Sequence, residues 1–466
     1  MNFEHIDTFY FIGIGGIGMS GLARYFATQG HRVLGYDRTP TPLTHALQHE
    51  GIAIQYDEDV SSLTTLCPAS TIVVRTAAIA EDMALCQWFL THGFQLLKRA
   101  EVLGVVTRQA RALCVAGTHG KTTTSTILAH ILHGSHVGAN AFLGGVSTNY
   151  QTNLLIDKTS DIVVVEADEF DRSFHHLTPY ISIITSMDAD HLDIYGTPDA
   201  YQASFATYAS LVQEAIVVKK GLNIGNSIQA KVYTYEAMPI EGEKADFYAD
   251  NVRITDGILL FDFYTPTSTI ANMQLGVPVW VNVENSVAAM AVAWLMGATE
   301  AEIREGLQTF KGVHRRFNIH LNTPQVAYID DYAHHPAELK ASIDSLRLLY
   351  PNRHLIGIFQ PHLYSRTRDF ADDFARVLSL LDEVALLPIY PAREEPIQGI
   401  NSEWLMSKMT TQATIVDKTA ICPWLNTRVN ALLSEKQPCV VMTLGAGDID
   451  QLTNEITTCL TMKINH

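Results

Sequence analysis

Two glycine-rich loops carry the residue types best suited to chemistry. The first, Gly13-Ile14-Gly15-Gly16-Ile17-Gly18, satisfies G-x-G-x-x-G, and Asp37 follows 19 residues after Gly18. Glycines let a backbone approach a pyrophosphate, and a helix N-terminus offers free N–H groups and a positive dipole end. Asp37 is placed to accept hydrogen bonds from a sugar or a base. The fingerprint reads as the diphosphate of a nucleotide and does not choose between a dinucleotide and another nucleotide.

The second loop is Gly117-Thr118-His119-Gly120-Lys121-Thr122-Thr123. It is a G-x-x-G-K-T variant of an ATP phosphate loop, shortened because Val115 stands where a first glycine would be. Its backbone is expected to cradle phosphates. Lys121 would reach the β- and γ-phosphates, and the Thr122 hydroxyl would ligate Mg²⁺. Carboxylates are then needed beside the metal. The expected strand 161–165 ends in Glu166-Ala167-Asp168-Glu169, and the expected strand 181–185 leads to Asp188-Ala189-Asp190-His191. A carboxylate ending a parallel strand faces the ligand crevice, which favours Glu166 as a metal ligand.

These loops need strands before them and helices after them. Short apolar runs alternating with helical patterns indicate βαβ units and parallel sheets. Strands are expected at 8–12, 32–36, 112–116, 326–329, 354–359, 383–387 and 439–443, with helices at 19–28, 121–132 and 369–381. Three restarts of the βαβ series divide the chain into 1–106, 107–313 and 314–466. The expected fold is α/β: a Rossmann-like N-terminal domain, a central P-loop ATPase-like domain with a parallel sheet, and a Rossmann-like C-terminal domain. The stretch 231–281 reads as a small antiparallel β insertion in the central domain.

Composition narrows the function. Lys plus Arg is 32 and Asp plus Glu is 49, a net charge of −17. Such a chain is a poor partner for nucleic acid or an anionic membrane. No apolar run approaches the roughly 20 residues of a membrane span. Glu4, His5 and Asp7 precede the first strand, whereas a secretory signal starts basic, so a cytoplasmic location is expected. Six scattered cysteines form no CxxC pair and read as buried apolar groups.

The chain resembles the Mur ligase family. The resemblance rests on the two loops with Met19-Ser20, on Glu166-Ala167-Asp168-Glu169 and Asp190-His191-Leu192-Asp193, and on four later segments. These are His314-Arg315-Arg316-Phe317, Asp330-Asp331-Tyr332-Ala333-His334-His335-Pro336, Phe359-Gln360-Pro361-His362 and Gly445-Ala446-Gly447-Asp448. The resemblance implies ATP- and Mg²⁺-dependent joining of L-alanine to UDP-N-acetylmuramate in peptidoglycan precursor synthesis, by a monomer or weak homodimer. It implies that Gly13, Gly15, Gly16, Gly18, Met19, Ser20 and Asp37 hold the UDP-sugar. Gly117 to Thr123, Arg316 and Asp331 would contact ATP, and Thr122, Glu166 and His191 would hold the metal. His334, His335, His362 and Arg366 would lie around the catalytic cleft and the incoming amino acid.

Three positions depart from the family pattern. Val281 replaces a His ahead of Asn282 and Asn285, the pair that would meet adenine. Ser186 replaces an Asn, and Leu363 replaces an Arg, leaving Arg366 as the cation. No lysine occurs between Gly196 and Val218, so a carbamylated lysine at a second metal is not expected; Lys219 and Lys220 are the nearest.

The chemistry follows from the difficulty of expelling oxide from a carboxylate. Phosphorylation by ATP makes phosphate the leaving group, and an amine can then attack. No Ser or Cys nucleophile motif is present, in keeping with a route that has no covalent enzyme intermediate. Three rivals remain: a recycling ligase that adds a whole peptide to the same sugar nucleotide, a nicotinamide-dependent oxidoreductase, which leaves the second loop without a task, and a non-catalytic nucleotide sensor.

Overall fold

The structure is a computed structural model that describes residues 3, 5–76, 79–239, 242–255, 258–392 and 394–464, with the side chains of 192, 193 and 462–464 outside it. Contacts divide the chain into two compact units. The first spans 1–254, 260–276 and 284–311, and the second spans 255–259, 277–283 and 312–466.

The first unit holds two sheets. A five-stranded parallel sheet is centred on Thr8–Ile12, flanked by Arg32–Tyr36 and Thr71–Arg75. All five residues of Thr8–Ile12 are buried, as a central parallel strand covered on both faces requires. The first glycine loop leaves its C-terminal end and enters helix Ile17–Thr28. In the ten-stranded sheet, Arg111–Ala116 lies between Ile162–Glu166 and Pro179–Ile184. The phosphate loop and both acidic segments thus emerge at one edge, where ligands of open α/β sheets bind.

A single apolar core runs through both sheets, from Phe9, Phe11 and Phe26 to Phe142, Val165 and Phe205. The rings of Tyr25 and Phe142 meet at 5.2 Å. The first two βαβ series are therefore packed as one body, although the sequence restarts between them.

The stretch 231–281 continues the ten-stranded sheet. Ile258–Tyr264 and Thr269–Gln274 pair antiparallel, as expected. Lys231–Ala237, however, pairs parallel with Ala215–Lys219 on one side and with Phe247–Thr255 on the other. Among the described residues no helix stands between these two parallel strands, so no helical pattern marks the crossover. Asp256 and Gly257, within the expected insertion, lie outside the described residues.

The second unit is built on a six-stranded sheet with Cys439–Leu444 between Val326–Asp331 and His354–Phe359. The helix expected at 369–381 is Ala371–Leu378, preceded by a separate short helix, Tyr364–Asp369. They are joined at Phe370, whose ring packs on His335 at 4.8 Å and whose backbone (φ −112°, ψ 18°) leaves the helical range.

Candidate active site

The first loop is held by Asp37. The Gly15 N–H donates to Asp37 Oδ2 at 2.8 Å, and a Cβ on Gly15 would stand 2.8 Å from that oxygen. Asp37 thus braces the loop from the end of the next strand. The helix that follows is anchored by Asn153, fully buried at the start of Leu154–Leu155. Asn153 Nδ2 donates to the Ile17 carbonyl at 2.6 Å and to Ser20 Oγ at 3.0 Å, and its Oδ1 accepts from Arg24 Nη1 at 2.5 Å. Arg24 is held in turn by Glu50 at 2.7 Å. Met19 and Ser20 are both buried in this first turn.

The phosphate loop is tied on all sides. Thr118 Oγ1 donates to the Asp188 carbonyl at 2.7 Å, and the His119 N–H donates to Ser186 Oγ at 2.8 Å. Ser186, one of the three departures, thereby fastens the loop. Gly120 has φ +81°, and a Cβ there would stand 2.8 Å from Asn285 Oδ1. Asn285 Oδ1 also accepts from Thr124 Oγ1 at 3.3 Å. Asn282 lies one turn earlier on the same helix, Trp280–Leu295.

Lys121 Nζ donates to the Gly117 carbonyl at 2.6 Å and to Glu169 Oε1 and Oε2 at 2.9 and 2.7 Å. Burial opposes the ammonium charge, but Glu169, Glu166 and Asp168 outweigh it and hold the Lys121 pKa above its usual value. Burial pushes Glu169 up to about 7 against the pull of Lys121. The sequence reading missed Glu169, whose only signal was its place in the acidic segment.

Glu166 ends its strand directly beside Val115. Its Oε2 is buried and has no hydrogen-bond partner, and no side-chain carbon fits at Gly144 because it would overlap that oxygen. A buried carboxylate oxygen left open in this way fits a cation. His191 Nε2 lies 4.0 Å from Glu169 Oε1 and 3.8 Å from Asp190 Oδ2, with a left-handed backbone (φ 53°) that a non-glycine residue rarely adopts. Thr122 is buried in the first turn after the loop. No group of three or more His, Cys, Asp or Glu side chains gathers as a metal site among the described residues. The expected set has only two of these types; the other ligands would be the Thr122 hydroxyl, phosphate oxygens and water, which suits Mg²⁺. Lys219 is paired with Glu284 at 2.9 Å and Lys220 with Glu236 at 3.1 Å, so both nearest lysines are engaged as ammonium groups.

A cavity of about 250 Å³ is shared by the first loop and the acidic segment that begins at Glu166. Gly16, Gly18, Met19, Glu166, Asp168, Asn153 and Arg99 are among the residues that line it.

The second unit gathers its own residues at the C-terminal ends of its central strands. Arg316 lies 4.9 Å over the Tyr332 ring. Burial pushes Asp331 up to about 6, with Ser342 and Arg316 pulling down, and the Ser342 hydroxyl donates to it. His334 Nδ1 donates to the Tyr332 carbonyl at 3.0 Å, its ring centre is 6.0 Å from that of His362, and burial pushes its pKa down to about 4. Arg366 Nη1 donates to His362 Nδ1 at 3.4 Å. Leu363, between them in sequence, has φ +70°. His335 is set apart by its use: its Nδ1 accepts the Ala337 N–H at 3.3 Å as the cap of helix Pro336–Leu349.

A fold with a dinucleotide-type loop, a phosphate loop and facing carboxylates defines a nucleotide-dependent transferase or ligase. Three family profiles match in sequence order: the Mur ligase family catalytic domain at residues 8–111, the Mur ligase middle domain at 115–293 and the Mur ligase glutamate ligase domain at 315–447. The chain belongs to the Mur ligase family. It is 50% identical to the UDP-N-acetylmuramate–L-alanine ligase of Parabacteroides distasonis over 100% of this chain and 99% of that one. It is 45% identical to the ligase of the same name from Flavobacterium psychrophilum, with 98% of each covered. The solved UDP-N-acetylmuramate–alanine ligase of Thermotoga maritima superposes with a TM-score of 0.79 at 25% identity, covering 98% of this chain and 99% of that one. A murein peptide ligase from Psychrobacter arcticus shares the fold, with a TM-score of 0.67 at 22% identity over 97% of this chain and 98% of that one.

Proposed function

We propose that this chain is an ATP-dependent ligase that joins L-alanine to the lactyl carboxylate of UDP-N-acetylmuramate, releasing ADP and phosphate. The supporting observation is the cavity that runs from the first glycine loop to the open oxygen of Glu166, beside the loop that carries Lys121. A sugar nucleotide with its diphosphate at Gly16 and Gly18 has its carboxylate end directed toward the phosphoryl-transfer groups. An oxidoreductase has no use for Lys121 or Glu166.

The carboxylate oxygen attacks the γ-phosphorus and ADP leaves, giving an acyl phosphate. The neutral amine of L-alanine then attacks the carbonyl carbon, and phosphate departs with the oxygen that had carried the phosphoryl group. Lys121 releases Glu169 to meet the phosphates, and the loop backbone from Gly117 to Thr123 orients them. Thr122, Glu166 and His191 would hold Mg²⁺, which supplies positive charge against the triphosphate. Asn282 and Asn285 are assigned to adenine, Arg316 and Asp331 to ATP, and His334, His362 and Arg366 to the amino acid. His334 is a weak base at neutral pH, and His335 serves as a helix cap. The segments 1–106, 107–313 and 314–466 then take the sugar nucleotide, ATP and the amino acid in turn. Work on ATP and a UDP-sugar is cytoplasmic. No described helix is long and apolar enough to cross a membrane.

ADP release tests this reading. It should require UDP-N-acetylmuramate and L-alanine together. ADP formed with a murein tripeptide but not with L-alanine would make the chain the recycling ligase, and NADH oxidation without ADP would make it an oxidoreductase.

A further inference from the structure

The sugar nucleotide brings two phosphates and a carboxylate into a cavity that already holds Glu166 and Asp168. Among the described residues lining it, Arg99 is the one cation. Arg99 follows strand Gln95–Lys98 and opens helix Arg99–Arg108, at the ligand edge of the five-stranded sheet. Lys98 and Arg99 place two cations at the positive end of a helix dipole, against local electrostatic preference. Glu101 accepts the Lys98 N–H at 2.6 Å and Lys98 Nζ pairs with Asp171 at 2.8 Å, so within its own helix Arg99 is the cation left without an offset. Such a local cost points to a use elsewhere.

The position of the guanidinium indicates that use. Nη2 is 3.2 Å from Asp168 Oδ2, which orients the planar group. Nη1 lies 2.8 Å from where a Cβ of Gly18 would be, with Cζ at 3.3 Å. The third glycine of the fingerprint therefore makes room for Arg99. The side chain retains 21% exposure and lines both this cavity and a smaller one with Thr76, Lys98 and Phe170.

Resting on the sugar-nucleotide reading of the cavity, we infer that Arg99 is a substrate-binding residue that grips the diphosphate of the nucleotide from across Gly18. The helix N-terminus offers fixed N–H groups on one side of the diphosphate. Arg99 adds a mobile, always-charged fork on the other, and Asp168 holds the fork ready. Gly18 and Arg99 are one device: a methyl group at position 18 would push the fork aside.

Calorimetric titration of UDP, UMP and UDP-N-acetylmuramate into wild-type, Arg99→Met, Arg99→Lys and Gly18→Ala proteins, with thermal melts to confirm folding, tests the inference. Arg99→Met should weaken UDP and UDP-N-acetylmuramate by the same factor, about 10- to 100-fold, as expected for a lost charged hydrogen bond. UMP should change little, and Arg99→Lys should fall between. Gly18→Ala should weaken UDP in the wild-type background and do so by a smaller factor in the Arg99→Met background, since part of its effect runs through Arg99. Unchanged UDP binding in Arg99→Met overturns the inference. So does a loss confined to UDP-N-acetylmuramate, which would place Arg99 on the carboxylate. Wild-type protein that binds neither UDP nor UDP-N-acetylmuramate would instead refute the sugar-nucleotide reading, and this inference with it. If Arg99→Met does not fold, Arg99→Lys and Gly18→Ala decide, and normal UDP affinity in both is the contradicting result.

Discussion

Lys121 is bound by both carboxylate oxygens of Glu169, at 2.9 and 2.7 Å, with their side chains 13% and 2% exposed. The phosphate-binding lysine thus waits in a buried ion pair, aimed along its own loop, and a nucleotide must compete for it. Removing one partner of such a pair strands the other's charge, at about 3 kcal/mol. Lys121→Ala should therefore lose stability as well as ligation. Lys121→Met with Glu169→Gln should regain most of the stability while ligation stays at least about 1,000-fold down, because the phosphate charge remains uncompensated. Denaturant unfolding beside ADP release checks both, and near-normal turnover in either folded protein contradicts the role given to Lys121.

Asn153 ties the helix of the first loop to the central sheet through three hydrogen bonds. Asn153→Ala leaves Arg24 Nη1 and the Ile17 carbonyl without this partner, a loss of about 2–3 kcal/mol. Urea unfolding should show that loss, and KM for the sugar nucleotide should rise more than KM for ATP. Equal changes in both would mean that Asn153 only supports the fold.

Much of this site was legible because its motifs are local. Gly13 to Gly18 and Gly117 to Thr123 each fit one strand–loop–helix turn, and Glu166 ends a strand of unbroken apolar residues. The partners were not legible. Glu169 meets Lys121 across 48 residues and Asn153 meets Ile17 across 136, and no periodicity encodes such pairings. Arg99 stands against Gly18 from a different strand–helix unit, and no local pattern encodes that contact either. The short helix Tyr364–Asp369 also carries no local signal, and the Phe370 ring that follows it meets His335, remote in sequence.

His334 offers a pH test. Its pKa lies at about 4 in the fold against 6.5 ordinarily, chiefly through burial. The unfolded chain then binds the proton more readily, so stability is intact above pH 6.5 and falls as pH drops toward 4. Between pH 7 and 5 the loss from this residue should be about 2 kcal/mol. His334→Asn should have a correspondingly shallower acid slope in chemical denaturation, and parallel slopes would contradict the buried neutral imidazole.

Lys219 and Lys220 are held by Glu284 and Glu236, and an ammonium so paired is a poor carbamate precursor. Activity should be indifferent to removal of CO₂ at constant pH. Loss of activity in CO₂-free buffer, restored by bicarbonate, would require a carbamylated lysine and a different metal site.

The central claim is that the lactyl carboxylate is activated as an acyl phosphate. UDP-N-acetylmuramate labelled with ¹⁸O in both carboxylate oxygens, turned over with ATP and L-alanine, tests it by mass spectrometry of the products. The mechanism predicts that one labelled oxygen leaves in inorganic phosphate and the other stays in the new amide. Phosphate free of label, with amide still formed, would contradict it.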